Sequence, residues 1–125
     1  MTTPTDQRGM DVSDRELLEA AAKAAGYANL FQSTMHEHWF ADIGGKSQPW
    51  SPLADDGDAL RLAVKMNFTI KFDTVPDGAV VKVSVPWHDN FDADYYWIEF
   101  LNRDAPAATR RAIVRAAAAI GKDVP

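Results

Sequence analysis

Pro49-Trp50-Ser51-Pro52-Leu53-Ala54-Asp55-Asp56-Gly57-Asp58-Ala59-Leu60-Arg61-Leu62-Ala63-Val64 runs from a stiff, aromatic, twice-proline loop through an acidic turn into a strongly apolar helix. At about 100° per residue, Asp58, Arg61 and Lys65 share one narrow sector. Ala59, Leu60, Leu62, Ala63, Val64 and Met66 fill an arc roughly 200° wide. A helix with its back to water needs about half that arc. The pattern therefore predicts the most enclosed helix of the protein, covered on more than one side. Asp55 or Asp56 can accept from the free N–H groups of the first turn, and Asp58 adds negative charge at the positive end of the helix dipole. As a cation loop the Asp55–Asp58 cluster is too short, because such loops need a longer alternating set of oxygens ending in Glu.

Upstream, residues 1–12 are polar and poor in apolar anchors, and read as a flexible leader. Ser13 with Glu16 three residues on has the spacing of a capping box, and a helix follows to Ala25, ended by Gly26. Its inner face is Leu17, Leu18, Ala21, Ala24 and Ala25. Residues 27–31 and 36–43 read as short strands joined by a turn at 32–34, and residues 44–49 read as loop.

Downstream of the quoted helix, Phe68, Ile70 and Phe72 alternate with polar residues, as do Val81, Val83 and Val85 across the turn residues Pro76-Asp77-Gly78. These segments predict an antiparallel hairpin. A third strand spans residues 95–101 after an acidic loop, and a last helix begins near Asp104-Ala105-Pro106 and stops at Gly121. Helices that do not alternate strictly with strands indicate α+β. The expected domain is a single unit over residues 13–125.

Composition narrows the functions. The 125 residues are 46% hydrophobic and 25% charged, within ordinary globular usage. A net charge of −5 gives no overall positive field for nucleic acid or anionic membrane. With no cysteine, thiol catalysis, disulfides and thiolate metal sites are excluded. No apolar run approaches a membrane span and the N-terminus lacks a signal-peptide pattern, so the cytoplasm is the expected compartment.

Two stretches resemble a known family. Trp50-Ser51-Pro52-Leu53 followed by Asp55-Asp56-Gly57-Asp58-Ala59-Leu60-Arg61-Leu62-Ala63-Val64 is similar to the W-N-P-L, then D-D-G-D-A-L-R-L-A-V, signature of the phage ABA (α/β/α) sandwich domain proteins. The helix Ala108-Thr109-Arg110-Arg111-Ala112-Ile113-Val114-Arg115-Ala116-Ala117-Ala118-Ala119-Ile120-Gly121 resembles the same family's C-terminal A-T-R-R-A-I-V-R-A-A-A-E-I-G. Ser51 stands where that pattern has Asn, and Ala119 where it has Glu. The resemblance covers about half the chain, and the first helix also fits. It implies a small phage or prophage protein built as an α/β/α sandwich, with no activity and no site residues to carry over. The combined expectation is an α/β/α sandwich with three helices and a mainly antiparallel sheet of three to five strands.

Candidate sites are few. Trp87, Asp89, Asp92, Asp94, Tyr95 and Trp97 concentrate aromatic and acidic side chains. Large aromatics usually fill a core, but on an open face this set would suit a protein-binding surface. Arg110 points to the apolar side of the last helix, where an arginine needs a counter-ion, and Asp55, Asp56 and Asp58 are the expected partners in a buried ion pair. Arg111 and Arg115, with Arg103 and Lys122, form a basic stripe that would serve nucleic-acid contact. His36, His38 and His88 would bind a metal only if two separate segments met. Gly44-Gly45-Lys46-Ser47 lacks the first glycine of a phosphate loop and leads into Gln48-Pro49 instead of a helix. The expected role is a non-enzymatic phage or prophage accessory protein without cofactor or metal. It would bind a host or phage protein, in host interaction or anti-defence, and could form homo-oligomers. The alternative is nucleic-acid binding through the last helix.

Overall fold

The computed structural model describes residues 2–33, 38–85, 96–101 and 104–122, with side chains of the first helix described from Asp14 and those of the last strand from Ile98. The order is α1 (Thr2–Ala25), β1 (Ala28–Gln32), β2 (Trp39–Ile43), β3 (Lys46–Pro49), α2 (Asp56–Met66), β4 (Thr69–Val75), β5 (Gly78–Ser84), β6 (Tyr96–Phe100) and α3 (Ala105–Gly121). The fold is α+β, and its strands form two three-stranded antiparallel sheets, β1-β2-β3 and β4-β5-β6. α1 begins at Thr2 instead of Ser13. Pro4 falls in its first turn, where a missing N–H costs nothing.

Residues 44–49 are not all loop. Gly44 and Gly45 have φ of 63° and 84°, the left-handed pair that a two-residue hairpin turn requires. The chain reverses there, and Lys46–Pro49 pairs with β2 from Ile43↔Lys46 to Phe40↔Pro49. Two glycines therefore make a hairpin where a polar, proline-ended segment suggested none.

In the second sheet, β4 and β5 pair without interruption from Thr69↔Ser84 to Val75↔Gly78, and β5 pairs with β6 from Ser84↔Tyr96 to Val80↔Phe100. Alternation divides the sheet into two faces. Ile70, Val81, Val83 and Leu101 belong to the face that joins the core, and Lys71, Asp73, Lys82, Ile98 and Phe100 to the other.

The core is centred on α3, which packs on α1, α2, β5 and β6. Ala112, Ile113, Val114, Ala116, Ala117, Ala118 and Gly121 are all buried on it. Ala20, Ala21, Ala22 and Ala25 are likewise buried on α1, and the two helices approach closely, with the Ala20 backbone against Gly121. The last helix, and not the second, is thus the most enclosed. On α2 only Ala59, Leu62, Ala63 and Met66 are buried, while Leu60 and Val64 are 59% and 71% exposed. A wheel reports the width of an apolar arc but not whether one chain supplies neighbours for all of it.

Candidate functional site

The stretch from Trp50 to Asp58 proves to be a junction. Asp55 is the N-cap of α2, its carboxylate accepting from the Asp58 N–H at 2.8 Å. Asp58 in turn accepts from the Ser51 N–H at 2.8 Å and from Arg61 at 2.7 Å. The Ser51 hydroxyl accepts from the Trp39 N–H at 3.3 Å, and the Trp50 N–H donates to the Trp39 carbonyl at 2.7 Å. The start of α2 is thereby fastened to β2. Trp50 is buried and meets Tyr27 edge to face, with ring centroids 5.5 Å apart. Burial beside Trp50 and the nearby Asp58 carboxylate push the Tyr27 phenol above its ordinary pKa. At the other end of α2, Asn67 takes a left-handed φ of 60° and its N–H closes on Ala63 and Val64.

Of the three carboxylates expected to face Arg110, the structure brings one to it. Arg110 lies 2.5 Å from Asp56, while Asp55 and Asp58 serve the cap and Arg61. The pair is half buried: the Arg110 side chain is 17% exposed and that of Asp56 75%. Arg110 Nε also donates to the Leu53 carbonyl at 2.9 Å, tying α3 to the loop before α2. Arg110→Met leaves that carbonyl without its donor and is expected to cost about 1 kcal/mol. Asp56→Asn, at an exposed position, is expected to cost less than about 0.5 kcal/mol. Urea denaturation of both variants checks this ordering. Equal losses would mean that the ion pair, not the bond to Leu53, fixes Arg110.

The acidic-aromatic set falls largely elsewhere. Trp87, Asp89, Asp92, Asp94 and Tyr95 lie outside the described residues, as does the side chain of Trp97, whose backbone pairs with Val83. Beside that segment, Ile98 and Phe100 are 40% and 46% exposed on the outer face of β6. Val80, across from Phe100, is buried on the same face. His36 and His88 are also outside the described residues, and His38 is exposed. Among the described residues no group of three or more His, Asp or Glu is placed to hold a metal ion.

Two residues of the basic stripe, Arg111 and Arg115, are engaged within the fold, and Lys122 is exposed. Arg111 pairs with Asp14 of α1 at 3.1 Å, and Arg115 with Glu99 of β6. Both guanidiniums fasten α3 to its neighbours, which leaves them less charge to offer a phosphate backbone. Arg103 lies outside the described residues.

Among the hollows that the described residues form beside α3, two bear on a binding site. The larger, about 740 Å³, is lined by Leu53, Glu99, Phe100, Asp104 and Arg111, and its Glu99 and Arg111 are already ion-paired. The other, about 520 Å³, is a groove between α2, α3 and β4 with walls of Ala59, Leu60, Ile70, Phe72, Pro106 and Ile113. Arg110 and Asp56 close one end of it. Leu60 and Phe72, each 59% exposed, make its walls apolar and open to solvent. The broad apolar arc of α2 predicts burial of Leu60 within one chain, and the alternation of β4 puts Phe72 on its apolar face; both stay open instead.

Comparison of the chain with protein-family models, with curated proteins and with solved structures finds no match. No helix among the described residues is long and apolar enough to cross a membrane.

Proposed function

We propose that this chain is a phage or prophage accessory protein that works by binding another protein, of host or phage, in the host cytoplasm. The phage attribution rests on the sequence resemblance. The binding role rests on one structural observation: Ile98 and Phe100 stand open on the outer face of β6. In the sequence they follow the acidic and aromatic residues Trp87, Asp89, Asp92, Asp94 and Tyr95. A few large exposed side chains can dominate the affinity of a binding surface.

Affinity capture from host lysate with the wild-type chain and with an Ile98→Ser, Phe100→Ser double variant tests this. Both positions are exposed, so the variant should fold as the wild type does, which circular dichroism checks. The expected result is a protein retained by the wild type and lost by the variant. Equal retention by the two would remove β6 from the interface. Salt-sensitive retention of DNA or RNA, lost on substituting Arg111 and Arg115, would replace this reading with nucleic-acid binding.

A further inference from the structure

Sheet edges offer unpaired backbone groups, and proteins usually blunt them. The first sheet does so at both ends. β1 has a register irregularity between Ala28 and Phe31, with Asn29 at φ 55°. β3 has four residues and ends in Pro49. Among the described residues the edge strand β4 has neither device, and charged side chains, Lys71 and Asp73, are what it carries instead. Its seven residues pair with β5 in unbroken register and include no proline. On its core-side face Phe72 is 59% exposed, next to the equally exposed Leu60 of α2.

The charges of β4 specify what fits against it. Phe72 is the middle residue of the strand. Antiparallel pairing of two copies about a two-fold axis at Phe72 engages all seven residues of each. It sets Lys71 of each copy opposite Asp73 of the other, and Phe72 opposite Phe72. Moving the axis by one residue shortens the overlap and sets like charges face to face, Lys71 on Lys71 or Asp73 on Asp73. With both helical layers on the same side, the full-length register is also the one in which these charges attract. Cross-strand pairs of opposite charge and of aromatics are stabilising, and like charges directly opposite are not.

We infer that the chain forms a two-fold homodimer through β4, joining two three-stranded sheets into one of six strands, with Phe72 and Leu60 of both copies buried over the junction. An isologous contact of this kind uses one surface twice and closes on itself. It does not depend on the β6 binding surface, which lies on the opposite edge strand and stays open in the dimer.

Sedimentation equilibrium of the full chain at about 100 μM, where even weak specific association is populated, should give the dimer mass. Phe72→Lys places a charge on the axis and should give a monomer with unchanged circular dichroism. Lys71→Glu and Asp73→Lys should each raise the dissociation constant about tenfold or more, since each creates two like-charge pairs. An equimolar mixture of these two variants should recover association, because each copy then faces opposite charges in the other. A wild-type chain that is monomeric at this concentration overturns the inference. So does a dimer indifferent to Phe72→Lys, or a mixture that associates no better than its separate components.

Discussion

Trp50→Ala is expected to lower the free energy of unfolding by about 3–5 kcal/mol, the usual cost of removing a large buried aromatic. Trp50 is 3% exposed and belongs to the main core with Leu18, Leu62 and Ala63. It meets Tyr27 edge to face, a geometry worth about 0.5–1.5 kcal/mol beyond the area it buries. Its backbone N–H is held by the Trp39 carbonyl, so the chain around it cannot easily collapse into the space left behind. For a domain whose total stability is about 5–15 kcal/mol, the loss is a large fraction. Urea denaturation with an unchanged m-value would show a folded state weakened without loss of cooperativity. Trp50→Phe should recover part of the loss. A cost below about 1 kcal/mol for Trp50→Ala would mean that the stretch is held by its hydrogen bonds alone.

Gly121→Ala is expected to destabilise by about 1–3 kcal/mol, the range for overpacking a close contact. At an ordinary helical position the same change stabilises by up to about 1 kcal/mol, so even the sign is informative. A Cβ on Gly121 would lie 1.7 Å from the carbonyl oxygen of Ala20. That neighbour is backbone and cannot turn aside as the end of a side chain would. The two helices must separate, and Ala21, Ala22, Ala116 and Ala117, all buried nearby on α1 and α3, lose contact with them. Thermal unfolding provides the measurement: a fall in the melting temperature supports the close approach, and a rise would show that α1 and α3 can part without cost.

Much of the fold was legible because it is written in local chemistry. The Asp55 cap, the Asp104 cap with Pro106 in the first turn of α3, and the β4–β5 alternation all act within a few residues of themselves. The Gly44-Gly45 hairpin was missed because the strand it introduces, Lys46–Pro49, has little β propensity and owes its state to β2. Arg110, on the apolar side of its helix, needs a partner, but a helical wheel cannot choose among Asp55, Asp56 and Asp58. The choice fell to Asp56 because Asp55 and Asp58 already accept from the turn they enclose.

By itself the sequence determined the α+β class, a helix start at Asp55 or Asp56 and another near Asp104, and the apolar faces of β4 and β5, since each depends on periodicity and capping within a short window. Tertiary structure alone decided which apolar faces find partners. α3 is enclosed because α1, α2 and the second sheet converge on it, while α2, with its broad apolar arc, keeps Leu60 and Val64 in water. The stretch from Pro49 to Val64 therefore has two parts with different fates. Trp50 to Asp58 fastens elements of this chain together, and Leu60, with Phe72, stays open beside the regular, proline-free strand β4. Burial depends on neighbours brought from far along the chain, and no local pattern counts them.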